Sequence, residues 1–307
     1  MRILVLGAGA LGGYFGARLI EAGADVAFLV RPKRAALLAE HGLRIESPFG
    51  DFHRRVTTFT EATPGWDIIL LACKAYDLDD AINTIRPAVN ANTAILPVLN
   101  GLAHIESLTE AFGATHVLGG LAKIQATLTH EGTIRHLNDW RYITFGELDG
   151  TLSPRALALR DTFATAPGVV AEAVPDVMAR LWEKLTHLGT SAIATVLMRA
   201  NVGEIARSPG GTALMAKILD RNIAIAAHHG YPVRPTFLAE YAKVFSDPTS
   251  QYAASMLRDI EANNQIEADH ILGFLLAAAQ QANISTALHE AAYIHAKAYE
   301  QRRASGR

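Results

Sequence analysis

One cysteine, Cys73, occurs in 307 residues. That excludes an intramolecular disulfide framework and any zinc site built from several cysteines, and it fits a reducing compartment. No sign of charge dominates: 28 Lys and Arg against 30 Asp and Glu leave −2. A basic surface made for nucleic acid is therefore not expected. Long hydrophobic runs are missing too. The most apolar stretches, such as Ile271 to Ala279, fall well short of the ~18 residues a membrane span needs. The start, Met1 to Leu6, runs straight into a glycine cluster and reads as a core strand, not a signal peptide. Internal repeats, low-complexity segments and a metal-ligand pattern are all lacking. The expectation is a soluble, cytoplasmic protein without nucleic-acid or membrane partners and without a metal. What is present is ample core material: half the residues are hydrophobic and 19% are charged. At about 150 residues per domain, the length suggests two domains.

In the first half, short apolar runs alternate with helical patterns. Ile3–Leu6, Val26–Val30, Ile68–Cys73 and Thr93–Leu99 read as strands, and Leu11–Ala22 as a helix ending near Gly23. Apolar runs without alternation are what parallel strands look like when helices cover both faces. The rhythm predicts an α/β doubly wound sheet. Val117–Leu128, Thr133–Leu137 and Tyr142–Phe145 read as extra strands completing that sheet, with a turn at Glu131-Gly132 and Val169–Ala173 as its last strand. After Pro175 the strand signals stop. Asp176 is placed to cap a helix running through Met198, and helical patterns follow at 209–229, 235–245, 251–261, 266–282 and 285–303. The division expected is 1–174 for the sheet domain and 175–307 for an all-α C-terminal domain.

The chemistry concentrates in five places. Gly7-Ala8-Gly9-Ala10-Leu11-Gly12 follows a strand and opens a helix, the context that gives G-x-G-x-x-G its meaning. Gly7 permits the tight turn, Gly9 lets the backbone approach a pyrophosphate, and Gly12 allows close helix–strand packing. The helix N-terminus then offers N–H groups to phosphates. Where an NAD-binding protein usually has Asp or Glu, the second strand ends in Arg31, with Lys33 and Arg34 behind it. A guanidinium suits a 2′-phosphate, so the cofactor expected is NADPH/NADP+. Lys74 and Asn100-Gly101 follow two further strands and should face the ligand side of the sheet. In Trp182-Glu183-Lys184-Leu185, Lys184 shares a helical face with Leu188, Ala192 and Thr195. A lysine on such a face either snorkels or works. Ser255-Met256-Leu257-Arg258-Asp259 places Ser255 and Asp259 one turn apart, and Glu267 opens the next helix, where the dipole alone would favour a carboxylate.

Together these residues resemble the ketopantoate reductase family (2-dehydropantoate 2-reductase) over the full length. The resemblance implies an N-terminal Rossmann-type domain, an all-helical C-terminal domain and an active site in the cleft between them. It also implies reduction of a 2-oxo acid to the 2-hydroxy acid by NADPH, which in pantothenate biosynthesis is ketopantoate to pantoate. By that resemblance Gly7, Gly9 and Gly12 match the dinucleotide loop, and Arg31 matches the residue at the 2′-phosphate. Lys74 and Asn100 match residues near the nicotinamide. Lys184 matches the general acid, Ser255 a substrate contact, Asp259 the S-M-x-x-D aspartate, and Glu267 a glutamate of the active-site cleft.

The sequence also departs from the family. Pantoate-forming members carry asparagines four and eight residues after the lysine, where this chain has Leu188 and Ala192. A further asparagine before Gly203-Glu204 is Val202 here, with Asn201 adjacent, and Gln-Asn-Gly reads Leu99-Asn100-Gly101. His187 and Ser191 flank the lysine face and are candidates to supply other substrate contacts. A pocket remodelled for a less polar oxo acid or carbonyl compound follows. Two rival readings stay open. One is a hydroxyacid dehydrogenase or imine reductase of the related two-domain fold, against which the Ser255-to-Glu267 pattern argues. The other is a non-catalytic NADPH-binding sensor, against which the retained Lys184, Glu267 and Asn100 argue. The partner expected is a small oxo-acid substrate, and a homodimer is left open.

Overall fold

The computed structural model describes residues 1–306. The chain divides into two compact units. The first comprises Met1–Leu99 and His104–Val177; the second comprises Asn100–Ala103 and the chain from Met178 onward.

The first unit runs β1 (Arg2–Leu6), α1 (Ala10–Glu21), β2 (Asp25–Leu29), α2 (Pro32–His41), β3 (Leu43–Glu46), β4 (Phe52–Arg54), β5 (Thr57–Phe59), β6 (Ile68–Leu71), α3 (Leu78–Ile85) and β7 (Ala94–Pro97). It continues with α4 (Ala103–Phe112), β8 (Leu118–Leu128), β9 (Thr133–Glu147), α5 (Pro154–Ala164) and β10 (Val170–Ala173). The first sheet has the order β5-β2-β1-β6-β7, and every pairing in it is parallel. Its strands are apolar throughout because both faces are covered. Ile3 and Val5 of β1 join Tyr14, Phe15 and Leu19 of α1, whereas Leu4 joins Leu78, Ile82 and Ile85 of α3 on the other side. Strand order reverses at β1, so the loops after β1 and β6 flank the point where such sheets bind ligands.

The later strands do not complete this sheet, as the sequence suggested. β8, β9 and β10 form a second sheet with β3 and β4. The first sheet ends at β7, whose Pro97 has no N–H to offer a further strand. An isolated bridge, Ile95 to Val117, joins β7 to the approach of β8. The stretch read as two strands, Thr133–Leu137 and Tyr142–Phe145, is the single strand β9, paired along one edge with β8 and along the other with β10 and β3. The turn at Gly132 is present, with φ +86°. The inner face of this second sheet, through Leu118, Ile134, Ile143 and Phe145, belongs to the same core as α1.

The second unit holds α6 (Val177–Met198), α7 (Val202–Arg207), α8 (Gly211–His228), α9 (Pro235–Ser246), α10 (Ser255–Glu261), a π-helical turn over Asp269–Gly273 leading into α11 (Phe274–Gln281), and α12 (Ala287–Ala304). The span expected as one helix over 266–282 is thus a π turn followed by an α-helix, and α7 was not anticipated. A buried polar chain ties three of these helices. Thr190 of α6 donates to the Thr186 carbonyl (2.8 Å) and accepts from Asn222 of α8 (3.0 Å), whose Oδ1 meets His289 of α12 at 2.9 Å. His289 Nδ1 is buried without a hydrogen bond, and the links through Thr190, Asn222 and His289 Nε2 favour one packing of the helices.

Burial, reinforced by the Arg221 cation, lowers the His289 pKa to about 4 from 6.5. Between these values the unfolded chain binds a proton that the folded chain refuses, so stability falls as the pH drops from 6.5 toward 4. Urea unfolding across this window should show a shallower pH slope for His289→Gln than for the parent. Equal slopes would show that His289 is not held neutral.

Candidate active site

At the end of β1 the chain turns through Gly7 (φ +92°), and Gly7 N donates to Leu29 O across to β2 (2.9 Å). Gly9 is the N-cap of α1, with no side-chain cap and no acidic residue in the first turn. The first N–H groups of α1 and its positive dipole end therefore have no partner from a capping side chain. A Cβ at Gly7 or Gly9 would meet nothing within 4 Å, so open space lies beside both. At Gly12 a Cβ would overlap the Gly7 carbonyl oxygen, which is why the helix approaches the loop so closely only with glycine. Loop, open space and bare helix end fit a diphosphate. Ala8, Ala10 and Leu11 complete the turn into the helix, and Arg34 braces it from α2. Its Nη2 and Nε donate to Ala8 O at 2.9 and 3.2 Å, and Nη2 also reaches Gly132 O at 3.3 Å. Sequence reading placed Arg34 only among the basic residues after β2; its distance of 26 positions from Ala8 hid the brace.

Arg31 follows β2 as the N-cap of α2 and is exposed. Its Nη2 donates to Asp77 Oδ1 at 3.3 Å and lies 3.8 Å from Asp80 Oδ2. No motif announced these carboxylates. Lys74 is exposed at the entrance to a 3-10 turn, Ala75–Asp77. β6 stops at Leu71, two residues sooner than the apolar run suggested, so Ala72 and Cys73 carry the chain out to Lys74.

Asn100 is grouped with the helical unit, not with β7 before it. Its neighbour Gly101 packs closely on that unit: it has φ +85°, and a Cβ there would come within 2.8 Å of His270 O. The loop tip thus lies on the π-helical turn that follows Glu267. Glu267 is buried, and Lys184 on α6 is half-buried by area. The atoms packed around its ammonium nevertheless desolvate it and bring its pKa down to about 8, against the pull of the Glu267 carboxylate, which raises it. This group, Lys184, Glu267 and the Asn100 loop, is brought together within one unit. Ser255 opens α10, half-buried, and Asp259 follows one turn later. Asp259 Oδ1 accepts from Asn264 Nδ2 at 3.4 Å, bracing the loop that leads to Glu267.

The neighbours of Lys184 fix α6. Trp182 stacks on His229, with 5.1 Å between ring centroids. Glu183 is buried and receives Arg234 Nε and Nη2, both at 2.6 Å, and Arg234 N at 3.1 Å. Tyr241 donates to Glu183 O at 3.1 Å. His187 lies among aromatic rings, and Ser191 is buried with its hydroxyl donating to Leu188 O at 2.9 Å. Asn201, adjacent to Val202, is the N-cap of α7 in a reciprocal box with Glu204. It is occupied as a helix cap.

Comparison with known proteins bears on the whole arrangement. The family model described as ketopantoate reductase PanE/ApbA matches residues 3–150, and that for its C-terminal domain matches residues 176–300. The chain belongs to the ketopantoate reductase family. This is a family of oxidoreductases, and the sheet unit and helical unit correspond to its α/β and helical parts. The chain is 33% identical over 303 residues to the uncharacterized oxidoreductase YkpB of Bacillus subtilis (strain 168), covering 98% of this chain and 99% of that one. It is 27% identical over 298 residues to the 2-dehydropantoate 2-reductase of Aquifex aeolicus, covering 94% of each. The crystal structure of 2-dehydropantoate 2-reductase from Methylococcus capsulatus superimposes with a TM-score of 0.88 at 27% identity, covering 99% of this chain and 98% of that one. Among the described residues no helix is long and apolar enough to cross a membrane.

The overlap at Gly12 makes a direct prediction for this ketopantoate reductase family member. Gly12→Ala forces the loop and helix apart and should lower stability by about 1–3 kcal/mol in chemical unfolding, the usual range for overpacking. An unchanged midpoint would mean that the loop does not approach the helix as described.

Proposed function

We propose that the protein reduces a 2-oxo acid to the 2-hydroxy acid with NADPH, the substrate being 2-dehydropantoate (ketopantoate) or a related, less polar carbonyl compound. The observation that carries this reading is the lysine of α6, kept ionisable near neutral pH beside Glu267 in a chain whose other unit presents a phosphate cradle. When bound, the nicotinamide supplies the hydride. The chain's own residues do the rest. Backbone N–H groups at the start of α1 bind the diphosphate. Arg31 turns from Asp77 and Asp80 to the 2′-phosphate, for which a guanidinium is better suited than a carboxylate. Lys74 and Asn100 are each assigned to the nicotinamide by the family resemblance.

Lys184 polarises the substrate carbonyl and donates a proton to its oxygen as charge develops there. One hydride at carbon and one proton at oxygen convert C=O to CH–OH. The donor must carry its proton at working pH and release it readily, and a pKa near 8 meets both needs. Glu267 holds the ammonium charged and in place. Ser255 and Asp259 stand as substrate contacts, and Leu188, which keeps part of its surface, lowers the polarity of the pocket, whereas Ala192 and Val202 are fully buried.

Nicotinamide absorbance should fall when the protein, NADPH and a suitable 2-oxo acid are mixed. Lys184→Ala should reduce kcat by about 10²–10⁴, the span of general acid catalysis. Arg31→Ala should raise KM for NADPH and leave that for NADH nearly unchanged. Turnover of Lys184→Ala close to the parent would refute the general acid. Tight NADPH binding with no turnover of any oxo acid would mark a binding protein instead.

A further inference from the structure

Resting on that reading, we propose that the substrate carries an aromatic or similarly bulky apolar side chain, and that Tyr252, with His187 and Leu188, selects it. Lys184, His187, Leu188 and Ser191 stand at i, i+3, i+4 and i+7 of α6 and so share one face. The ground beside the lysine is aromatic. The His187 ring lies 4.8 Å from that of Tyr241, 5.1 Å from that of Phe245 and 5.5 Å from that of Tyr252. Tyr241 and Phe245 are buried and form the floor. Lys184, His187, Leu188 and Tyr252 keep part of their surface and form what a ligand can touch.

The hydroxyls on this face are satisfied by the protein itself. Ser191 Oγ donates to Leu188 O at 2.9 Å and lies 3.3 Å from Tyr252 Oη, which is therefore the donor of that pair. What remains for a ligand is ring faces and the Leu188 methyls, next to a cation. Tyr252 is also held by its backbone: its carbonyl accepts from Val202 N at 2.9 Å, and its N–H donates to Ser250 Oγ at 3.2 Å. A ring fixed in this way is a preorganised stacking surface. The charged and oxo end of the substrate goes to Lys184, and its side chain lies along the rings.

The test is steady-state kinetics of the full-length protein with NADPH and four substrates: phenylpyruvate, 2-oxo-4-methylpentanoate, pyruvate and 2-dehydropantoate. Phenylpyruvate should exceed pyruvate and 2-dehydropantoate in kcat/KM by about tenfold or more, within the range apolar pockets achieve. Tyr252→Ala should reduce that ratio about tenfold, chiefly through KM, whereas Tyr252→Phe, which keeps the ring, should retain it. Leu188→Asn tests the same wall from the helix, and its ratio should also shift away from phenylpyruvate. Phenyllactate with NADP+ should raise the thermal midpoint of the protein more than lactate does, a binding readout independent of turnover. Preference for 2-dehydropantoate, or a ratio unmoved in folded Tyr252→Ala and Leu188→Asn, overturns this inference while leaving oxo-acid reduction intact. Failure to reduce any oxo acid overturns both.

Discussion

An ammonium group placed among packed side chains loses hydration and tends to give up its proton, while a carboxylate near it pulls the other way. Lys184 stands between these two influences, and the outcome, a pKa of about 8, depends on Glu267 and on the density of packing around α6. The rest of the helical unit preserves that balance. Glu183, the residue before the lysine, is a buried carboxylate that would be unfavourable alone, and Arg234 answers it with a paired, charge-assisted interaction. The pair anchors the start of α9 on α6, and the Tyr241 hydroxyl adds a bond to the Glu183 carbonyl about two turns further along α9. Further along α6, the Thr190–Asn222–His289 chain sets how α8 and α12 pack. One helix thus carries Lys184, its anchor and the polar core of its unit.

The sheet unit is organised around a different constraint, the need to leave backbone donors uncovered. Gly7 and Gly9 remove the side chains that would fill the space at the head of α1, and Gly12 lets the helix begin close against the strand. Arg34 braces this bare loop by holding the Ala8 carbonyl. Arg31, by contrast, is exposed and shared between Asp77 and Asp80, an arrangement that salt screens and that a phosphate group can displace.

The parallel strands were legible because burial on both faces writes continuous apolar runs such as Ile68–Leu71. The second sheet was misread for a local reason. Asn138-Asp139 has the composition of a turn, yet it lies within β9. Asn138 Oδ1 accepts from Gln125 N and Trp140 N where the ladder with β8 slips between Ile124 and Ala126, so a side chain stands in for a backbone partner. β3, β4 and β5 are too short to show a period, as is α7. In the candidate site, the glycine loop was legible from order along the chain, whereas the helical pattern around Lys184 left snorkelling and function open and only the family resemblance singled the lysine out. Arg234 and Tyr252 were not, because their partners on α6 lie 51 and 61 positions away and no spacing rule links them. Of the residues expected to touch substrate, Ser191 uses its hydroxyl within the helix, which only the structure shows.

The central claim is that Lys184 donates the proton and that Glu267 sets its strength. The pH dependence of kcat/KM for oxo-acid reduction tests it most directly. The account predicts one limb, with activity lost as the pH rises through about 8, because the deprotonated amine has no proton to give. In Glu267→Gln the limb should move to lower pH, since the carboxylate that favours the charged form is gone. A limb near the ordinary lysine value of 10.5, or one that stays in place when Glu267 is replaced, would contradict it.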